Sequence, residues 1–221
     1  ASIGSSAFNG CSNLTSVNIP ESVTSIKDST FMGCSSLTTV TIPDSVTSIG
    51  NRAFSSCSSL TSITIPNGVA SIGNRVFSNC SSLNTLNFNT INCSDFASDD
   101  NHPFASSPIT TINIGDSVQR IPANFANGKS GLISITIPNS VTEIGDSAFM
   151  NCSGLIAANI GNGVSSIGNA FRGCTNLTYL TVGSGVETID NLAFIDCNML
   201  SHITSKATTP PEIASSNVFP Y

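Results

Sequence analysis

The stretch that decides the fold is residues 49–72, IGNRAFSSCSSLTSITIPNGVASI, because copies of it recur along almost the whole chain of 221 residues. Its first isoleucine returns every 23 residues in most steps and after 22 residues in the last step. The positions are Ile3, Ile26, Ile49, Ile72, Ile121, Ile144, Ile167 and Ile189. Self-similarity with this period predicts a solenoid in which each repeat forms one coil.

One segment of the repeat has the pattern of a half-buried strand. Ile63 and Ile65 alternate with Ser62 and Thr64, and a period of two places the apolar side chains on one face. Pro66 follows and lacks a backbone donor, so we expect the strand to end there.

A second segment has a longer spacing, since Phe54, Cys57 and Leu60 lie three residues apart. This spacing predicts one short helical or 3-10 turn. A single coil cannot cover its own apolar faces, so neighbouring coils must cover each other and share hydrogen bonds. We therefore predict a mainly β solenoid of the α/β type, with about nine 23-residue repeats, a parallel sheet and short helical or 3-10 turns.

The repeat, written I-G-x-x-A-F-x-x-C-x-x-L-x-x-I-x-I-P-x-x-V, resembles the BspA-like, or Treponema-type, leucine-rich repeats. The resemblance covers nearly the whole chain. It implies a right-handed solenoid in proteins that are mostly secreted or displayed on cell surfaces, often as adhesins. The chain departs from ordinary leucine-rich repeats because no asparagine recurs at their ladder position, and the cysteine takes an equivalent interior place.

The composition excludes several classes of partner. Charged residues make up only 9% of the chain, and the net charge is −6. Nucleic acids and anionic membranes require clusters of basic residues, which are missing here. No apolar run approaches the roughly 20 residues of a membrane span, so we expect no membrane insertion by this chain. We also expect the protein to be a monomer.

The cysteines also follow the repeat. Seven of the eight share one repeat position, and only Cys93 lies elsewhere. The seven are Cys11, Cys34, Cys57, Cys80, Cys152, Cys174 and Cys197. Such a column predicts free, buried thiols that behave as small hydrophobic side chains, rather than disulfides. There is no C-x-x-C pair, so the sequence gives no support for a zinc site.

The chain divides into a repeat region and a tail. We assign residues 1–205 to the solenoid, with an irregular insert at 89–108, and residues 206–221 to a polar, proline-rich segment. Asn217, Val218 and Phe219 repeat the pattern of Arg75, Val76 and Phe77, which predicts the start of a further, truncated coil. We therefore interpret the chain as a fragment of a longer protein.

Catalysis has few candidate residues. Two Gly-Asp-Ser triplets, which contain Ser117 and Ser147, resemble a hydrolase nucleophile block, but they occupy different repeat positions and no histidine is placed to activate either serine. The chain has only two histidines, and phosphate-binding or dinucleotide-binding glycine motifs are absent. We predict that the protein is not an enzyme and needs no cofactor.

The insert at 89–108 gathers Asp95, Asp99, Asp100 and His102. Oxygen ligands in such a group suit Ca²⁺, but the spacing matches no EF-hand loop. We interpret the insert as a solvated bulge without a metal. An insert on a repeat scaffold is also where a binding loop is expected.

The outward strand positions offer a better binding surface. They are mostly small polar residues, and Tyr179 and His202 are the only large polar side chains among them. We expect a concave sheet to bind the ligand together with the insert. The candidate ligand-binding residues on the sheet are Tyr179, His202, Thr181, Asn159, Thr136 and Asn113. The sequence predicts an extracellular or cell-surface interaction module, adhesin-like, that binds a host protein or glycan. A structural spacer and an ice- or crystal-surface binder are the alternatives.

Overall fold

The computed structural model describes residues 1–214 and 218–219. The chain forms two compact units, residues 1–109 and residues 110–221. Each unit is a stack of coils, and each regular coil contains one longer and one shorter strand. No helix in the described part of the chain has the length and apolar character needed to cross a membrane.

The first unit contains eight strands. They are β1 (Ser2–Ile3), β2 (Ser16–Asn18), β3 (Ser25–Ile26), β4 (Thr39–Thr41), β5 (Ser48–Ile49), β6 (Ser62–Ile65), β7 (Ser71–Ile72) and β8 (Thr85–Phe88). The short strands β1, β3, β5 and β7 form one parallel sheet. On a second side of the coils β2 pairs with β4, and β6 pairs with β8, again in parallel.

The second unit contains ten described strands and one 3-10 helix, Asn169–Phe171. The strands are β9 (Thr111–Ile114), β10 (Arg120–Ile121), β11 (Ser134–Thr136), β12 (Glu143–Ile144), β13 (Ala157–Asn159), β14 (Ser166–Ile167), β15 (Tyr179–Val182), β16 (Thr188–Ile189), β17 (His202–Ser205) and β18 (Glu212–Ile213). The longer strands β11, β13, β15 and β17 make one parallel sheet. Among the shorter strands β10 pairs with β12, β14 pairs with β16, and β16 pairs with β18.

Paired residues on neighbouring strands are separated in the chain by the length of one repeat. This spacing confirms the predicted parallel solenoid of about nine coils. Ser62 pairs with Thr85, and Ile63 pairs with Leu86, 23 positions further on. Equivalent side chains therefore lie one above another. In β6 and β8 the apolar side chains Ile63, Ile65, Leu86 and Phe88 are buried, and they alternate with polar residues that are exposed or half-buried.

The third side of the coil consists of hydrogen-bonded turns, with little helix. Within a coil, Cys57 N donates to Phe54 O and Leu60 N donates to Cys57 O. Between coils, the amides of residues 52, 54 and 56 donate to the carbonyls of residues 74, 76 and 78, at 2.8–2.9 Å. Neighbouring coils are thus joined by backbone hydrogen bonds on three sides.

The turns require left-handed backbone at two positions in most coils. Arg52 has φ of 55° and Ser56 has φ of 62°, and residues with a Cβ adopt this region only at a cost. The chain places glycine at the second of these positions in four coils, Gly10, Gly33, Gly128 and Gly173.

A column of stacked phenylalanines fills the interior of each unit. In the first unit, Phe8, Phe31, Phe54, Phe77 and Phe104 have centroids 5.2–5.4 Å apart and nearly parallel rings. In the second, Phe149, Phe171 and Phe194 stack at 5.2–5.6 Å, and Phe125 meets Phe149 edge-on at 6.0 Å. Apart from Phe8, which is 37% exposed, all of these rings are buried.

The insert is not the solvated bulge expected from the sequence. Cys93, Phe96, His102 and Phe104 are all buried. Phe104 continues the phenylalanine column by stacking on Phe77 at 5.2 Å. In the sequence the acidic residues of the insert were apparent, but the apolar residues that complete a coil were not. The insert changes the spacing of these apolar residues without removing them.

The polar segment 206–221 takes part in the coil structure. Its strand β18 pairs with β16, so that Glu212 lies opposite Thr188. Val218 is fully buried, and Phe219 stacks on Phe194 at 5.6 Å. Asn217, which belongs to the same predicted motif, lies outside the described residues.

The left-handed turn positions predict an unusual effect of glycine. We expect the free energy of unfolding of the Ser56→Gly variant to exceed that of the Ser59→Gly variant by about 1–2 kcal/mol. Both substitutions destabilise the protein by raising the conformational entropy of the unfolded chain, but only the first also removes the cost of a positive φ. Ser59 is a matched control without a positive φ in a neighbouring turn. Denaturant unfolding measures the difference. Equal loss of stability in both variants would show that the turn is not strained.

Candidate functional site

The outward side chains form two straight rows on the longer strands of the second unit. Cα pairing sets Ser134, Ala157, Tyr179 and His202 in one row. The other row contains Thr136, Asn159, Thr181 and Thr204. Both rows result from strand alternation combined with the in-register stacking of coils.

Tyr179 and His202 are neighbours in the first row, as the spacing predicted. Their ring centroids are 4.9 Å apart, and the planes are inclined by 32°. Tyr179 is 51% exposed, although it lies in the middle of a sheet. Ser201 Oγ and His202 Nδ1 are 3.0 Å apart, within hydrogen-bonding distance, which helps to orient the imidazole.

Two polar side chains flank this aromatic pair. Asn159 is exposed and Thr181 is half-buried. Among the described residues, neither side chain has a hydrogen-bond partner, and the Tyr179 hydroxyl has none either. These groups are therefore available to a ligand, and no formal charge lies on the outward rows of β11, β13 and β15.

The other two predicted residues lie on β9 and β11. Asn113 and Thr136 line an open groove of about 590 Å³ on the second unit. Thr111, Asp116, Ile133 and Ser134 share its walls. Ile133 is 53% exposed, and Ile156 occupies the equivalent position of the next coil and is 42% exposed.

The four predicted insert residues belong to the first unit and have different environments. Asp99 Oδ1 accepts a hydrogen bond from Asn101 N at 2.8 Å, so this carboxylate holds a local turn. Asp100 and Asp95 are exposed, and the Asp100 carbonyl accepts a bond from Arg75 Nε at 2.8 Å. His102 is only 6% exposed, and its Nδ1 accepts a bond from Phe104 N. The imidazole is thus part of the core and not of a binding surface.

No group of three or more His, Cys, Asp or Glu side chains in the described residues is arranged to hold a metal ion. The carboxylate of Asp99 already accepts two hydrogen bonds from Asn101.

All eight cysteines are free, and all except Cys11 are buried. The six buried thiols of the repeat column each donate a hydrogen bond to a backbone carbonyl of the preceding coil, and Cys11 at the exposed end is the exception to the predicted burial. Within the first unit, Cys34, Cys57 and Cys80 donate to the carbonyls of Phe8, Phe31 and Phe54 at 3.2–3.3 Å. The same ladder in the second unit contains Cys152, Cys174 and Cys197. The sequence predicted the interior position of these cysteines but not the hydrogen bonds, because the thiols were expected to act as small hydrophobic side chains.

Burial also suppresses the reactivity of two thiols of these ladders, Cys80 and Cys152. It raises the pKa of Cys80 to about 12 and that of Cys152 to about 12. The thiolate is the reactive form, so these groups are nearly inert at neutral pH. Lys129 takes the cysteine position in the sixth coil, and burial lowers the pKa of its amine to about 8.

Sequence analysis missed two sets of residues that complete ladders. Ser107 takes the cysteine place in the insert coil and donates its hydroxyl to Phe77 O. At the surface, Asp28 Oδ1 accepts from Asn51 N, and Asn51 Oδ1 accepts from Asn74 N, at 2.7–2.8 Å. The 23-residue spacing of these three side chains was a visible signal, whereas the position of Ser107 was hidden by the inserted residues.

Comparison with known proteins identifies the class. The family described as BspA type leucine rich repeat region matches residues 1–127 and 98–219, in six copies. The chain belongs to this family of leucine-rich-repeat proteins. Families of this kind are repeat scaffolds, and the match includes no catalytic family. Among curated proteins, no match to the chain is found.

Solved structures of bacterial leucine-rich-repeat proteins are similar to the chain. The Treponema pallidum leucine-rich-repeat protein is 27% identical, with 90% of this chain and 71% of that one covered and a TM-score of 0.39. A leucine-rich cell surface protein of Faecalibacterium prausnitzii is 30% identical, with 91% and 62% covered and a TM-score of 0.44. A leucine-rich-repeat protein of Eubacterium ventriosum is 23% identical, with 99% and 79% covered and a TM-score of 0.47. The chain thus spans less than two thirds of the Faecalibacterium protein.

The cysteine ladder predicts two classes of thiol. In the folded protein an aromatic disulfide reagent should modify Cys11 quickly and the seven buried cysteines slowly, because only Cys11 is exposed. After denaturation without reductant, all eight should react. Removal of Cys11 by Cys11→Ser should abolish the fast phase alone. Rapid modification of Cys57 or Cys80 in the folded protein, or a lack of free thiols after denaturation, contradicts the ladder.

Proposed function

We propose that this protein is an interaction module, displayed at the cell surface or secreted, that binds a ligand through the outward rows of its second unit. The leucine-rich-repeat class supports a scaffold that presents side chains, and nothing in the family match points to catalysis. In this proposal the module is adhesin-like and attaches its carrier to an external protein or glycan.

The observation that carries the proposal is the exposed aromatic pair of Tyr179 and His202. A tyrosine that is 51% exposed contributes little to core packing, so stability does not account for it. Contact with the tilted His202 ring restricts the tyrosine ring before a ligand arrives, and side chains that are already ordered lose less entropy on binding. Tyrosine also combines a broad apolar ring with a polar tip, and it is common at binding hot spots.

The proposed location follows from the family. The repeat class implies proteins that are secreted or displayed on surfaces, and the Faecalibacterium relative is described as a cell surface protein. A location outside the cytoplasm is compatible with the seven buried thiols, because burial protects them from oxidation.

The absence of formal charge on these rows predicts how binding depends on salt. Affinity would come from short-range hydrogen bonds and stacking, since long-range steering requires charge. Raising the ionic strength from low to physiological values should therefore change the affinity little.

The test is a binding screen with printed glycans and immobilised extracellular proteins, followed by affinity measurement for each hit. Tyr179→Ala should weaken a genuine ligand by about 1–2 kcal/mol or more, which is roughly tenfold. The melting temperature should change little because the side chain is exposed.

Thr39→Ala is the matched control, because Thr39 is an exposed residue at the equivalent strand position of the first unit. It should leave the affinity unchanged. Binding that ignores Tyr179→Ala, or a chain that binds nothing in the screen, contradicts the proposal and favours a structural spacer.

A further inference from the structure

We propose that the ligand is a neutral saccharide, one pyranose ring of which stacks on the free face of Tyr179 above Ala157. This inference rests on the proposed function and specifies the class of ligand and the position of its ring. We call the surface formed by Ala157, Asn159, Tyr179 and Thr181 the tyrosine shelf.

The two faces of the Tyr179 ring have different neighbours along the row. On one side lies His202, whose ring centroid is 4.9 Å away. On the other side lies Ala157, which is paired with Tyr179 by Cα register. Alanine carries a single methyl group, so it cannot cover an aromatic face as the imidazole does. The row therefore has a gap beside Tyr179.

The gap has the right dimension for a six-membered ring. Neighbouring strands are about 4.8 Å apart, and the ring centroids of Tyr179 and His202 are separated by nearly the same distance, 4.9 Å. A ring lying over Ala157 would stand at a similar distance from Tyr179, within the roughly 4.5–7 Å at which rings stack. The ligand ring would thus extend the row by one member.

The polar groups around the gap favour a saccharide over an aromatic side chain. Asn159 and Thr181 lie in the parallel row beside Ala157 and Tyr179, and their side chains have no partner among the described residues. The amide of Asn159 both donates and accepts hydrogen bonds, as does the hydroxyl of Thr181. A pyranose has an apolar C–H face for the tyrosine and hydroxyls at its rim for these groups.

The surroundings also favour a neutral ligand. No outward residue of β13 or β15 carries a formal charge, so an acidic sugar would find no cation there. The exposed side chain of Ile156, which is 42% exposed, adds apolar surface next to Ala157. Neutral hexoses therefore match the shelf in both shape and charge.

Tyrosine fluorescence provides a direct test. The chain has two tyrosines and no tryptophan, so Tyr221→Phe leaves Tyr179 as the one fluorophore. Titration of this variant with neutral oligosaccharides of glucose, galactose and mannose should change its emission in a saturable way for at least one sugar. The same sugar should compete with the ligand found in the binding screen.

Filling the gap should block the site. Ala157→Leu should weaken the binding of that sugar at least tenfold, whereas Ala157→Ser, which adds one small atom, should change it less than threefold. Asn159→Ala should weaken it severalfold through the lost hydrogen bonds. Circular dichroism and melting temperature check that each variant is folded. If Ala157→Leu does not fold, Ala157→Thr gives the same test with a smaller obstruction.

The outcomes separate this inference from the proposed function. If Tyr179→Ala abolishes binding of a ligand but Ala157→Leu does not, the interaction module is supported and the ring position is wrong. If the ligand is a protein whose binding no sugar inhibits, or if no neutral oligosaccharide alters the Tyr179 emission, the saccharide inference is overturned. If Tyr179→Ala changes no binding, both are overturned.

Discussion

The structure depends on hydrogen bonding between successive coils. A coil of 23 residues has strands of two to four residues, which are too short to be stable alone. Each coil therefore uses its neighbours as partners on three sides: the longer strands, the shorter strands and the turn segment. The phenylalanine column and the cysteine ladder fill the interior only when the coils are in register, so packing and backbone pairing reinforce the same arrangement.

This constraint explains what the sequence could predict. The period, the strand segments, the outward rows and the Tyr179–His202 pair all follow from in-register stacking, so counting residues was enough to place them. Counting failed where the spacing changed. Phe104 and Ser107 occupy the phenylalanine and cysteine places of the insert coil, and only the folded structure reveals this. The turns were predicted as helical or 3-10 because a three-residue spacing does not distinguish a 3-10 turn from successive turns with left-handed residues such as Ser56.

The same constraint shapes what the protein can do. Stacking fixes the interior residues of every coil but leaves each outward position free to vary, so the rows can carry a recognition surface without cost to the core. Most of the chain uses serine, threonine and asparagine there. The tyrosine shelf is the place where a large aromatic ring, a small neighbour and unpaired polar groups occur together. Tyr179 and His202 alone do not predict this combination, since it also depends on Ala157 being the other neighbour of Tyr179.

Amide hydrogen exchange on a Phe54→Ala variant tests most directly whether coils stabilise each other. Phe54 contacts Phe31 and Phe77 in the two adjacent coils. The account predicts faster exchange in its own coil and in both neighbours, including the amides of Ser29, Phe31 and Arg52, which donate to carbonyls of the following coil. Faster exchange confined to residues 50–60, with the adjacent coils as protected as in the parent protein, would contradict it.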